Sequence, residues 1–414
     1  MQPLRIAAAS IVKPMNLVLV HSRSRQRPYD RCAVSLIVFS LVVGASRSVP
    51  AQHDLLAGLQ FPTRSEVVAL PVEISGEDTK RLFFFDTGTS GNVLHSSLRQ
   101  FVKGEPVRRV RIEGTRRQIA IYKYDGISVG DLRASQDGQV VFADLAEFRQ
   151  ALGLEIHGII GLSFCRNRLI DLDFDNGVLQ IWSRDKSREG LGEELRLDAD
   201  SSMAVIEDVR IGGSKFRCLI DTGFNGSVLV PRPTFDMLVR SGQVAVLGQQ
   251  VSTEINGRSQ VRFGALKSLR IGTAEIVGLS IGESTNDQMP KMGLGVLRRY
   301  VLTLDLDGKV VYFRKGKYFA SRDRFDRSGI SVDMVSGWPQ VMSVAPGSPA
   351  ADIGICVGDR IESINGVDHG RLSIYTLREL LSSGDGRVVT VKLRSDNQDT
   401  RTVALKLRNR PYER

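Results

Sequence analysis

The tripeptide Asp-Thr-Gly occurs twice, each time closing an apolar run and opening a turn that contains Ser and Gly: FFFDTGTSGNVL around Asp86 and CLIDTGFNGSVL around Asp221. One copy in a chain of 414 residues would carry little information, because Asp and Gly are ordinary turn formers. The two copies, however, align without gaps over twelve residues. They share Asp, Thr and Gly, a later Gly (Gly91, Gly226) and a closing Val-Leu (Val93-Leu94, Val228-Leu229). Any fold for this chain must therefore accommodate a duplication with one carboxylate in each half.

The duplication extends to both sides. HGIIGLSFCRNRLIDLDFDNGVLQIW follows the first copy from His157, and KMGLGVLRRYVLTLDLDGKVVYF follows the second from Lys291. Superposing Gly161 on Gly293 places Asp173 on Asp305 and Asp175 on Asp307, with an apolar strand on either side of each Asp-x-Asp turn. Upstream, VALPVEISGEDTKRLFFF from Val68 and VIEDVRIGGSKFRCLI from Val205 read as polar-tipped hairpins leading into the Asp strands. A period of about 130 residues means two lobes rather than a solenoid.

Over residues 52–315 these motifs resemble the pepsin and retropepsin-like aspartic proteases. In that family each lobe supplies one Asp-Thr-Gly loop and one apolar-apolar-Gly motif beside it. Ile159-Ile160-Gly161 fits the latter, and Gly293 followed by Leu297-Arg298-Arg299-Tyr300 looks like the second lobe of pepsin; Lys291, before Met292-Gly293, departs from the apolar pattern. The resemblance implies a mainly β fold of two pseudo-twofold β-barrel lobes, residues 52–190 and 191–315. It makes Asp86 and Asp221 the catalytic pair, without metal or cofactor, acting on polypeptide substrates. Thr87 and Thr222 would cross-link the two loops through their hydroxyls, while Gly88 and Gly223 let the backbone turn tightly. Gly114 and Gly257 are assigned as the tips of two flaps over the cleft. Both lobes lie in one chain, so a monomer suffices.

The chemistry follows from like charges: two carboxylates a few ångströms apart cannot both stay ionised, and so they share one proton. The ionised member is then the general base on a water, and the protonated member donates to the scissile carbonyl. The titration belongs to the pair, so the proton is not assigned to either residue. Thr89 has a hydroxyl to offer Asp86, whereas Phe224 has none for Asp221, and the pair is expected to titrate higher than in strongly acid-active relatives.

After a polar stretch, residues 316–327, read as a linker, a separate module occupies residues 328–410. Gly347-Ser348-Pro349-Ala350, Gly358-Asp359-Arg360-Ile361 and Asn365-Gly366 resemble the turns of a PDZ domain, a small α+β fold. Ile374, Leu377 and Leu381 recur at helical spacing, and residues 388–393 alternate as a strand. The resemblance implies that a peptide adds as a strand to a sheet edge, expected at residues 341–344. Arg371, Arg378 and Arg387 are read as solvated surface.

The net charge of +10 is concentrated at the start: residues 1–51 carry +6 of it, so nucleic-acid binding is not expected. Arg23, Arg25, Arg27 and Arg31 precede an apolar run at residues 33–45, a basic-then-apolar pattern of signal-peptide length. The reading is export to a periplasm or beyond, with the leader either cleaved or kept as a membrane anchor. Cys165, Cys218 and Cys356 remain outside the leader, with no metal-ligand spacing, and Cys218 is expected to be a small buried residue. Asn225-Gly226-Ser227 matches a glycosylation triplet by chance. The rival to the protease reading is a non-catalytic peptide-binding adaptor of the cell envelope; residues 52–64 leave room for a propeptide.

Overall fold

The structure, a computed structural model, describes residues 10–11, 55–63, 67–111, 118–134, 138–254, 257–285, 289–372, 374–395 and 397–409. The leader pattern at residues 23–45 and the expected flap tip at Gly114 lie outside the described residues. Strands dominate, with short helices between them.

Each Asp-Thr-Gly copy emerges from a hairpin. Ala69–Ile74 pairs antiparallel with Arg81–Phe85, and Val205–Ile211 with Ser214–Ile220. The second strand of each hairpin then pairs in parallel with the strand before the later glycine: Phe85 lies opposite Ile160, and Ile220 opposite Met292. In the first sheet Asn92–His95, Ile156–Ile160, Arg81–Phe85 and Ala69–Ile74 are successive neighbours. In the second the order is Val228–Pro231, Lys291–Met292, Ser214–Ile220 and Val205–Ile211. The repeat is thus one strand order, built twice. Phe83, Phe84 and Phe85 are all fully buried, so both faces of their strand are covered, which explains the unbroken apolar run where a half-exposed strand would alternate.

A third sheet joins the halves. The hairpins Leu169–Asp173/Val178–Trp182 and Tyr300–Asp305/Val310–Lys315 pair with each other, Asp171 opposite Thr303, and are flanked by Leu55–Gln60 and Glu193–Arg196. One apolar cluster runs through both halves, including Phe85, Ile160, Ile220, Met292 and Leu302.

The later glycines are required by close approach. A Cβ on Gly161 would lie 2.2 Å from the Gly91 carbonyl oxygen, and one on Gly293 would lie 2.3 Å from that of Phe224. Each glycine lets its strand graze the Asp-Thr-Gly turn. Correspondingly, the Leu162 amide donates to Thr89 O and the Leu294 amide to Phe224 O, both at 2.8 Å.

The C-terminal module has its own core, including Ile330, Val341, Ile361, Leu377, Val391 and Leu405. Ser348 caps the helix Pro349–Asp352, accepting from the Ala351 amide, with Pro349 at the first helical position. Asn365 and Gly366 both have positive φ, 50° and 77°, as a two-residue hairpin between Arg360–Ile364 and Val367–Asp368 requires. The expected peptide edge needs correction. Trp338–Val344 is interior, between Ile330–Val335 and Arg360–Ile364, and the outer strand beside the helix Ile374–Leu381 is Ile330–Val335. Arg371 and Arg387 are exposed, but Arg378 is not solvated: it donates to Val332 O at 2.6 Å on that outer strand and pairs with Asp333. A charged side chain with this pattern on one helix face looks like surface from sequence because its acceptors lie about 45 residues away.

A separate core implies separate folding. A fragment of residues 326–409 is expected to unfold in one cooperative thermal transition followed by circular dichroism; a gradual, non-cooperative loss of signal would show that it depends on the preceding residues.

Candidate active site

Both aspartates lie where their strands end. The Asp86 amide donates to Ile160 O and the Asp221 amide to Met292 O, each at 2.9 Å, which fixes the two turns at matching places. Neither residue has exposed surface.

The carboxylates face one another across the two turns. A Cβ built on Gly88 would lie 2.6 Å from Asp221 Cγ, and one on Gly223 would lie 2.6 Å from Asp86 Cγ. Each carboxyl group therefore rests against the other half's glycine, a place no side chain can share. The Asp221 charge acts directly on the Asp86 carboxyl group.

Thr87 and Thr222 tie the turns together. The Thr87 hydroxyl donates to Ile220 O at 2.7 Å and accepts from the Thr222 amide at 3.0 Å; reciprocally, the Thr222 hydroxyl donates to Phe85 O at 2.8 Å and accepts from the Thr87 amide at 3.0 Å. Both threonines are fully buried, so these groups have no water to fall back on.

The shells around the carboxylates differ. Asp86 Oδ1 accepts from the Gly88 amide at 2.7 Å and Oδ2 from the Thr89 hydroxyl at 3.0 Å. Asp221 Oδ1 accepts from the Gly223 and Phe224 amides at 3.0 and 3.1 Å. Its Oδ2 lies 3.5 Å from Nζ of Lys291. Burial, reinforced by the neighbouring Asp221 charge, pushes Asp86 up from 3.8 to about 8, against the Gly88 and Thr89 hydrogen bonds that favour its charged form. Burial and the Asp221 charge thus both favour the neutral form of Asp86.

Two participants escaped the sequence reading. Lys291 registers there only as a break in an apolar pattern, which was the available signal. Residues 316–327 carry a second: Asp323 accepts from the Ser280 amide at 2.7 Å, from the Ser227 hydroxyl just past the second turn, and from Arg299 at 2.7 Å. The stretch read as a plain linker is therefore pinned to the second half. Ser227 is buried in that contact.

The hairpin expected to carry a flap is long, Val244–Glu254 against Gly257–Ile271, with Gly257 opposite Glu254. The other flap's flanks, Arg108–Arg111 and Gln118–Lys123, also pair. Cys165 and Cys218 are buried, which pushes the Cys165 thiol up to about 12 and Cys218 further in the same direction. His157 is half-buried near Arg81 and away from the carboxylates. A cleft of about 1700 Å³ is lined by neither aspartate, though it borders the second turn at Phe224, Asn225 and Gly226. It lies between that long hairpin and the C-terminal module, bordered by Phe263, Arg322, Ile330 and Leu381.

Residues 340–395 match the family model described as a PDZ domain, and the C-terminal module is a PDZ domain, a peptide-binding fold. No curated protein matches the chain. Among solved structures the chain is similar to the photosystem II D1 C-terminal processing protease, at 28% identity over 20% of this chain and 22% of that one, with a TM-score of 0.19. It is also similar to a PDZ domain protein from Parabacteroides distasonis, at 28% identity over 20% of each chain, with a TM-score of 0.19. The chain thus spans about a fifth of the length of each.

The threonine links are testable on their own. Replacing Thr87 or Thr222 by Val keeps the shape but strands a buried amide and a buried carbonyl of the opposite half. At about 1–3 kcal/mol for each unsatisfied group, either variant is expected to lose about 2–5 kcal/mol in urea unfolding. Thr79→Val, at an exposed position away from these links, serves as the control and is expected to change little.

Proposed function

We propose that the chain is an aspartic endopeptidase that hydrolyses peptide bonds with a water activated between Asp86 and Asp221. The observation that carries this reading is the pair of buried carboxyl groups, each seated against the other half's glycine and held by reciprocal threonine bonds. In the reaction the ionised carboxylate takes a proton from the water, whose oxygen attacks the scissile carbonyl. The protonated partner donates to the carbonyl oxygen as it becomes tetrahedral. Protonation of the amine and collapse of the intermediate then break the C–N bond. The raised Asp86 titration supports a neutral acid at near-neutral pH.

The PDZ domain would recruit polypeptide substrates, or gate access, by adding a peptide strand beside Ile330–Val335, which lies against the helix Ala146–Leu152, so that the peptide has to displace that contact. The basic-then-apolar leader supports export, with the leader cleaved or kept as an anchor; among the described residues no helix is long and apolar enough to cross a membrane. One observation favours the adaptor reading: neither carboxylate has exposed surface, so a substrate needs the cleft to open.

Proteolysis of casein across pH 3–8 by residues 52–414, beside Asp86→Asn and with pepstatin added, separates the two. Cleavage lost in both controls is expected; a well-folded protein that cleaves nothing would favour the adaptor, and an Asp86→Asn variant that cleaves normally would put the chemistry outside the carboxyl pair and overturn the proposal.

The same residue predicts a pH dependence of stability. Asp86 holds a proton in the folded state up to about pH 8, whereas an unfolded aspartate releases it near 3.8. Native protein then binds more protons than unfolded, so this group's contribution to stability falls as pH rises between those values. Asp86→Asn lacks that slope. Its melting temperature is expected to exceed that of the unmodified chain by a margin that widens from pH 4 to pH 8; a constant margin would argue against the raised titration.

A further inference from the structure

Aligning the two halves on Gly161 and Gly293 puts Lys291 at the place of Ile159, which is fully buried in an apolar cluster. Lys291 is 2% exposed, and it lies on a two-residue strand between Leu219 and Leu229. A lysine at that depth gives up its hydration and persists only beside a compensating charge. Asp221, itself without exposed surface, supplies one at 3.5 Å.

What distinguishes the two aspartates is the group that reaches Oδ2. In the first half it is the neutral hydroxyl of Thr89; in the second, where Phe224 has no hydroxyl, it is the ammonium of Lys291. A neutral donor lets its carboxyl group be ionised or protonated, while a cation favours the ionised form.

We infer that Lys291 is a positioning residue of the carboxyl pair: its ammonium keeps Asp221 ionised, so that the shared proton sits on Asp86 and Asp221 is the base toward water. This inference rests on the aspartic endopeptidase reading and assigns the roles within it. The ionisable groups at this point include Asp221, its partner Asp86 and the buried thiol of Cys218, which feels the Asp221 charge. Farther along the same strands, Lys215 and Arg217 pair with Asp208 and Asp198, Glu283 with Arg262, and Arg299 with Asp323. These neighbours are engaged in ion pairs of their own.

The sign of the effect is fixed. A cation beside the pair eases each deprotonation, so removing it moves both the acid and the alkaline limb of the activity profile to higher pH. The test is the pH dependence of kcat/KM for peptide cleavage by the full chain, with Lys291→Met and Lys291→Arg, and with Asp86→Asn as the reference for dyad-dependent turnover. Lys291→Met is expected to shift both limbs upward by about one to three pH units, and Lys291→Arg to restore the original limbs at least in part. Unshifted limbs in Lys291→Met, with cleavage still abolished by Asp86→Asn, would overturn the role of Lys291 and leave the endopeptidase reading intact. Cleavage that survives Asp86→Asn would instead remove that reading and the inference with it.

Thermal unfolding tests the pair without turnover. Asp221→Asn strands a buried ammonium and is expected to lower the melting temperature, while adding Lys291→Met to it recovers most of the loss. If Asp221→Asn is equally tolerated with and without Lys291, the two are not coupled and the inference fails.

Discussion

The reciprocal bonds of Thr87 and Thr222 are what the rest of the site depends on. Each hydroxyl donates to a carbonyl one residue before the opposite aspartate and accepts from the opposite threonine's amide. Four backbone groups that would otherwise be buried without partners are satisfied in this way, at the point where two strand ends meet. The geometry permits little drift, because a turn displaced by one ångström would lose bonds on both sides at once. This constraint brings Asp86 and Asp221 together against their mutual repulsion. The glycines that follow each threonine leave out side chains that would collide with the opposite carboxyl group.

Within that frame the two halves are not equivalent. Strand order, backbone bonds and close-approach glycines repeat, but the polar shell does not: one carboxyl group meets a hydroxyl and the other a lysine. In a symmetric pair the proton is shared and its place is set by whatever substrate or water is present. On the endopeptidase reading, a fixed charge on one side would bias it before any substrate arrives, while burial and the Asp221 charge raise Asp86. These effects oppose each other in the pair's overall titration and agree on which member is neutral.

The stretch leading to the PDZ domain belongs to the same network. Asp323 is tied to Ser227, six residues past Asp221, and Ser227 in turn accepts from the Gly293 amide through its carbonyl. Asp323 also neutralises Arg299, which is almost fully buried behind the second glycine motif. Breaking this contact would strand a buried guanidinium as well as free a linker, which is why so polar a segment is held in place. The PDZ outer strand begins only seven residues later, at Ile330.

The two hairpins and the repeated turns were legible in the sequence because they depend on periodicity, and a duplication shows periodicity twice. Asp86 and Asp221 could be located from twelve aligned residues, and the glycines from their fixed offset. What escaped was chemistry between residues far apart in sequence. Lys291 and Asp221 are 70 positions apart, and nothing in a pattern of apolar positions says which charge a buried lysine will meet. The pattern does say that its place is buried, since Ile159 fills it in the other half. A lysine there must either be neutral, be paired, or prevent folding. The outer PDZ strand failed for a related reason: residues 330–335 and 338–344 both read as strands, and which of them is the edge is decided by Arg360–Ile364, which comes later in the chain and pairs with only one of them. Local patterns specify elements; the identity of a site is set where elements from different halves meet, and a residue that breaks the pattern of its own half is the place to look for that meeting.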